Sequence, residues 1–156
     1  MTEKKRNNLL NRKVGAMLVA TGVMFRVMTS QMFAEKKFEI TPEQYLVLSI
    51  IMDSGTELYQ RQISEITYKD RPNVTRILNI LEKLELIKRV EDVNKRKIYK
   101  ISITEKGIEM RKRIRPSMLS IRALATNGIE EKDLMHTLCI LEQMQDNMKG
   151  TVKLHI

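Results

Sequence analysis

Five residues within one short stretch, Arg71, Asn73, Thr75, Arg76 and Asn79, all carry hydrogen-bonding side chains. Arg donates a bidentate pair to guanine O6 and N7, Asn exchanges a donor and an acceptor with adenine, and Thr serves either as a weaker partner. They alternate with Val74, Ile77, Leu78, Leu81 and Leu84, whose i, i+3, i+4, i+7, i+10 spacing is that of a helix core stripe. The two sets therefore take opposite sides of one helix, which would present its polar side to a nucleic-acid groove. A second set, Asn94, Lys95, Arg96 and Lys97, is suited to phosphate oxygens. Arg61 and Lys69 lie on the flanks and add charge nearby.

Other chemistries find little support. The six glycines (15, 22, 55, 107, 128 and 150) form no phosphate loop, and no His stands near a Ser or Cys with a supporting acid. An enzyme is not expected, and neither is a cofactor. His136 and Cys139 share a helix face at i and i+3 and could hold a metal with His155 or a carboxylate, but the same spacing fits two residues of a packed helix, so no metal is expected. Cys139 is the sole cysteine and cannot close an intramolecular disulfide, which makes the cytoplasm the expected compartment.

The charge supports the nucleic-acid reading by its position. The 156 residues carry a net +9, of which residues 56–115 hold 16 basic and 9 acidic side chains, while residues 116–156 are net −1. A chain that was basic only for solubility would have no reason to concentrate its charge. Only 4% of residues are aromatic and none is Trp, which excludes a base-stacking platform for single strands.

Stepping along the chain, the apolar stripe Leu10, Val14, Met17, Leu18, Thr21, Phe25, Met28, Met32 predicts a first helix of about 25 residues. The basic start and the apolar run from Val14 to Phe25 imitate a secretion signal. The run lacks a small-residue cleavage site, continues past Arg26 at helical spacing, and is short of the ~20 apolar residues a bilayer needs, so no membrane association is expected. Thr41-Pro42 opens a second helix with Tyr45, Leu46, Leu48, Ile51 and Met52 inward, ended by Asp53-Ser54-Gly55. A short helix from about Tyr59 to Thr67 buries Ile63 and Ile66. Asp70 then caps the helix Arg71 to Leu84, with Pro72 in its first turn.

From Leu86 the period changes to two, through Ile87 to Val90 and then Tyr99, Ile101 and Ile103, which predicts a β-hairpin with a basic tip. Thr104 caps a long helix to about Asn127-Gly128, kinked at Pro116, and a last helix runs from Glu130 to about Met148. The fold class is thus mainly α with a small β-hairpin wing, a winged helix-turn-helix between long terminal helices. Val14, Met17 and Leu18 on the first helix, and Leu134, Leu138, Leu141 and Met144 on the last, form more apolar surface than a small lobe covers, so both are expected to be dimerisation helices. The expected organisation is 1–38 and 106–156 for dimerisation and 39–105 for the winged helix, in one intertwined domain.

Three stretches, Ile40-Thr41-Pro42-Glu43-Gln44-Tyr45 with Val47-Leu48, Val74-Thr75-Arg76-Ile77-Leu78 with Leu81-Glu82-Lys83-Leu84, and Ile103-Thr104-Glu105-Lys106-Gly107, resemble the MarR family of bacterial transcriptional regulators. The resemblance implies a cytoplasmic homodimer that binds double-stranded DNA at a pseudo-palindromic operator, represses transcription, and releases DNA when a small lipophilic or aromatic ligand binds. Two departures stand out. Asn94 occupies the place of the Arg that the family's wing inserts into the minor groove, and Glu85 occupies a place after the recognition helix where the family favours Gly. A winged helix used for protein interaction, or redox sensing through Cys139, are the alternatives, though a thiol buried in a helix interface would be inert.

A wing lysine that touches only phosphate carries no sequence information. Lys95→Ala should therefore weaken binding to specific and random duplexes alike and lower the salt slope by about one, as read by titration at several salt concentrations.

Overall fold

The computed structural model describes residues 3–92 and 99–152, in two units, Met1–Pro42 and Glu43–Ile156. The first is essentially one helix, α1 (Glu3–Glu35), of 33 residues. This is longer than the stripe predicts, because nothing before Lys36 breaks it. The short apolar run thus lies in a helix whose residues 7–35 are long and apolar enough to cross a membrane, and the expectation that it is too short fails on length. Helix α1 ends in a left-handed turn at Lys37 (φ 53°), where the N–H of Phe38 bonds the carbonyl of Phe33. The two rings meet edge to face with centroids 5.2 Å apart, the apolar contact that accompanies such a cap.

The second unit contains α2 (Pro42–Asp53, whose first residue closes the preceding unit), β1 (Leu58–Tyr59), α3 (Gln60–Thr67), α4 (Arg71–Lys83), β2 (Ile87–Glu91), β3 (Tyr99–Ile103), α5 (Glu105–Ala125) and α6 (Glu131–Lys149). Helix α4 buries Val74, Ile77, Leu78 and Leu81 as its spacing predicts, while Leu84, the last of the expected stripe, is half-buried because it is the C-cap where the helix ends. Helix α2 differs. Tyr45, Leu48 and Ile51 are buried as expected, but Leu46 is 47% exposed and Met52 half-buried while Val47 is fully buried, so the inward face is centred nearer Val47 than expected. In α3, Ile63 is buried but Ile66 is exposed, because eight residues make only two turns and their buried side falls on Ile63 and Ser64. The sheet has a third strand that alternation could not reveal: two-residue β1 pairs antiparallel with β3, which lies between β1 and β2. Within β3, Ile101 is buried and Tyr99 is 49% exposed. Helix α5 continues through Pro116.

One junction ties α4, the sheet and α5 together. At the end of α4, Leu86 N–H bonds Leu81 O and Glu85 N–H bonds Glu82 O, with both leucines fully buried. Glu85 carries the left-handed turn (φ 60°) that such a cap requires, at the position where glycine is favoured. The strain of a non-glycine residue there, ~1–2 kcal/mol, is offset by the cap's hydrogen bonds and by Leu81 against Leu86. The Leu86 carbonyl then accepts from Thr104 N–H at 3.1 Å, and Thr104 Oγ1 both donates to Glu85 O and accepts from Gly107 N–H at the start of α5. A Cβ on Gly107 would stand 2.1 Å from the Leu86 oxygen and 2.8 Å from Ile103 Cγ1. Only glycine lets the first turn of α5 come this close.

Gly107→Ala should accordingly destabilise the fold by about 1–3 kcal/mol, the range for forced overpacking. Gly15→Ala, at a helical glycine with nothing within 4 Å of the added carbon, should be stabilising by roughly 0.5–1 kcal/mol. Urea denaturation of the two variants tests both signs.

Candidate nucleic-acid interface

Helix α4 starts at Asp70, whose Oδ1 accepts from Asn73 N–H at 2.8 Å, and Pro72 occupies the first turn where no N–H is needed. The core stripe fixes its rotation, so the opposite side faces out. There Arg71, Thr75, Arg76 and Asn79, four of the five residues singled out by type, line one open groove of about 630 Å³. Pro72, Ile80 and Lys83 line it with them. Lys83 was legible at i+7 from Arg76; Pro72 and Ile80 were not, since neither makes hydrogen bonds with its side chain. Asn73 lies outside the groove, with its Oδ1 shielded and without a hydrogen-bond partner.

The electrostatics are uneven along this face. Arg71, Arg76 and Lys83 form no ion pair among the described residues, whereas neighbouring charges are internally matched. Arg89 of β2 bonds Glu82, and its Nη2 donates to Asn79 Oδ1 at 2.7 Å. Gln60 Nε2 donates to Thr75 Oγ1 at 2.7 Å, and Thr75 Oγ1 donates to Arg71 O at 2.8 Å. Gln60 and Arg89 are contacts that sequence reasoning missed; no spacing rule links α3 or β2 to α4.

Of the flanking residues, Arg61 is exposed and pairs with Glu65 on its own helix. Lys69 is mostly covered and gives its Nζ to Glu43 Oε1 at 3.1 Å, so its charge is already matched. Asn94, Lys95, Arg96 and Lys97 lie outside the described residues. The stem of the hairpin is held where it leaves β2: Asp92 is buried, and Tyr59 Oη donates to its Oδ2 at 2.5 Å.

The residues expected to dimerise are largely uncovered in the single chain. Met17, Leu18, Leu138 and Leu141 are exposed, Val14, Leu134 and Met144 are half-buried, and α6 buries no residue. Cys139 is exposed as well, so the expected burial of its thiol does not arise within one protomer, because α6 has no neighbour covering it. No cluster of three or more His, Cys, Asp or Glu suited to a metal occurs among the described residues.

Fold and groove together define a winged helix-turn-helix protein with long terminal helices. Residues 38–98 match the sequence model of the MarR family. No curated protein matches the chain significantly. Among solved structures, that of the transcriptional regulator SlyA is 25% identical, with a TM-score of 0.74, covering 91% of this chain and 95% of the other. A MarR-family regulator from Listeria monocytogenes, complexed with 26mer DNA, is 21% identical (TM-score 0.73; 90% and 89% covered). Bordetella bronchiseptica BpsR, whose DNA binding is regulated by 6-hydroxynicotinic acid, is 18% identical (TM-score 0.75; 85% and 98% covered). The fold is thus shared with MarR-family transcriptional regulators, and residues 38–98 carry that family's sequence pattern.

The Tyr59–Asp92 bond has a pH signature. Chiefly because Asp92 holds its proton, the Tyr59 hydroxyl titrates above the ordinary tyrosine value of 10.0. A raised folded pKa means that the bond's stabilisation is complete below pH 10 and is lost as pH rises through the folded value. The fall in stability above pH 10 should be steeper for the wild type than for Tyr59→Phe, measured by denaturant midpoints from pH 8 upward.

Proposed function

We propose that this protein is a cytoplasmic, homodimeric repressor that binds a pseudo-palindromic operator through α4 and is released by a small lipophilic or aromatic ligand. The observation that carries the reading is the groove on α4. It combines Arg71, Arg76 and Lys83, which form no ion pair among the described residues, with a helix rotated outward by its own core stripe. A major groove admits one α-helix, and its acceptor-rich edges and phosphates complement such a face. The Listeria regulator's complex with DNA supports the partner, and BpsR's response to 6-hydroxynicotinic acid supports ligand control.

Dimerisation is the second part of the reading. Leu18, Val23, Met24 and Val27 on α1 and Met135, Leu138 and Leu141 on α6 leave apolar side chains in water at a cost of order 25 cal/mol per Å². A second copy buries these faces and supplies the second recognition helix that a two-fold symmetric operator requires. Residues 106–156 and 1–38 then serve assembly, and 39–105 serve DNA.

Sedimentation should give about twice the chain mass of 18.3 kDa, and a mobility shift on the DNA upstream of the protein's own coding sequence should detect a specific complex. Arg76→Ala should cost that complex ~1–3 kcal/mol while leaving random-duplex binding nearly unchanged. Equal losses on both would remove Arg76 as a base reader; absence of any shift at low salt would favour a protein-interaction role.

A further inference from the structure

The groove on α4 is chemically one-sided. Asn79 and Thr75 are the residues whose types offer acceptors to a base, and both acceptors are engaged inside the protein. A guanidinium only donates, so the Asn79 atom facing Arg89 Nη2 at 2.7 Å is its oxygen, and the amide nitrogen is what remains for a partner. The cation beside that oxygen also repels the hydrogens of any second donor, and Arg89 is itself held by Glu82. The Arg71 carbonyl only accepts, so the Thr75 hydroxyl hydrogen is spent on it at 2.8 Å, and the Thr75 oxygen takes the Gln60 amide hydrogen at 2.7 Å. With its hydrogen spent and one of its two lone pairs taken, Thr75 offers the groove chiefly its methyl group. Beside it stand Pro72 and Ile80, two further apolar side chains, and Arg71 and Arg76, which are donors without acceptors.

We propose that this face reads hydrogen-bond acceptors and thymine methyl groups, and that Arg89 and Gln60 are positioning residues that withhold the acceptors of Asn79 and Thr75. The proposal rests on DNA being the partner and specifies which base edges α4 selects. In the major groove guanine presents O6 and N7, and thymine presents O4 and a 5-methyl group, all of which suit donors and apolar carbons. The amino groups of adenine N6 and cytosine N4 are donors and, on this groove, would have to share the Asn79 and Thr75 oxygens with hydrogen bonds already made within the fold. Asn79 is therefore not an adenine reader despite its residue type, since the bidentate contact to adenine needs the oxygen that Arg89 holds.

The test is selection from two random duplex pools, one containing thymine and the other deoxyuridine in its place, followed by titration of the enriched sequence in both forms. The wild type should select guanine and thymine at the positions facing α4 and bind the uracil duplex at least about fivefold more weakly. Thr75→Ser, which keeps the hydroxyl and loses the methyl, should lose most of that thymine-to-uracil ratio, whereas Thr75→Val, which breaks both internal hydrogen bonds but keeps a methyl, should retain it. Arg89→Met should free the Asn79 oxygen and bring adenine into one position of each half-site. Equal binding of thymine and uracil duplexes by the wild type overturns the methyl reading, and an unchanged selected sequence in Arg89→Met overturns the positioning role. A pool from which nothing is enriched overturns the DNA reading itself, and this proposal with it.

Discussion

The approach of Gly107 to the Leu86 carbonyl is the contact on which the placement of α4 depends. That carbonyl sits where α4 has just ended and β2 is about to begin, and it receives Thr104 N–H from the chain leaving β3. Four segments are thus referred to one peptide group: the last turn of α4, both long strands of the wing and the first turn of α5. Protein interiors are packed too densely to absorb an extra carbon at 2.1 Å from an oxygen without shifting backbone. The Ile103-Thr104-Glu105-Lys106-Gly107 stretch is legible as a motif because each part serves this junction: Thr104 as a cap in both directions, Lys106 as the partner of Glu85, and Gly107 as the missing side chain.

Around this junction the polar groups divide into those the fold uses and those it leaves free. Glu82, Glu85, Glu43 and Asp53 each meet a cation from another element, through Arg89, Lys106, Lys69 and Arg111. Exposed pairs of this kind add ~0.2–1 kcal/mol each, so their larger effect is on the field. Among the described residues Arg71, Arg76 and Lys83 are left without ion pairs on α4, with Asp70 at its cap the unpaired acidic group beside them, so the outward face of the helix is net positive.

Helix α6 shows the same logic with apolar groups. It has good helix formers, a regular spacing of Leu134, Leu138, Leu141 and Met144, and no buried residue. Its regularity is not needed by the fold of one protomer. An isolated amphipathic helix of 19 residues is marginal in water, which makes an apolar surface against α6 energetically favourable.

Much of this was legible from residue order alone. The core stripe of α4, the caps at Asp70 and Thr104 and the two strands of the hairpin follow from local periodicity and capping chemistry, which act between residues close in sequence. The polar face of α4 was legible too, because it is the complement of a clear apolar stripe. In α2 Tyr45, Leu48 and Ile51 were legible as inward but Leu46 was read for Val47, since Leu46, Val47 and Leu48 are all apolar and give periodicity nothing to choose between. The pairing of β1 with β3, the Tyr59–Asp92 bond and the engagement of Asn79 by Arg89 and of Thr75 by Gln60 join residues 10 to 43 positions apart. Sequence determined which residue types stand on the outward face of α4; tertiary structure decided which of their atoms are still free, because a hydrogen bond made within the fold is no longer available to a partner.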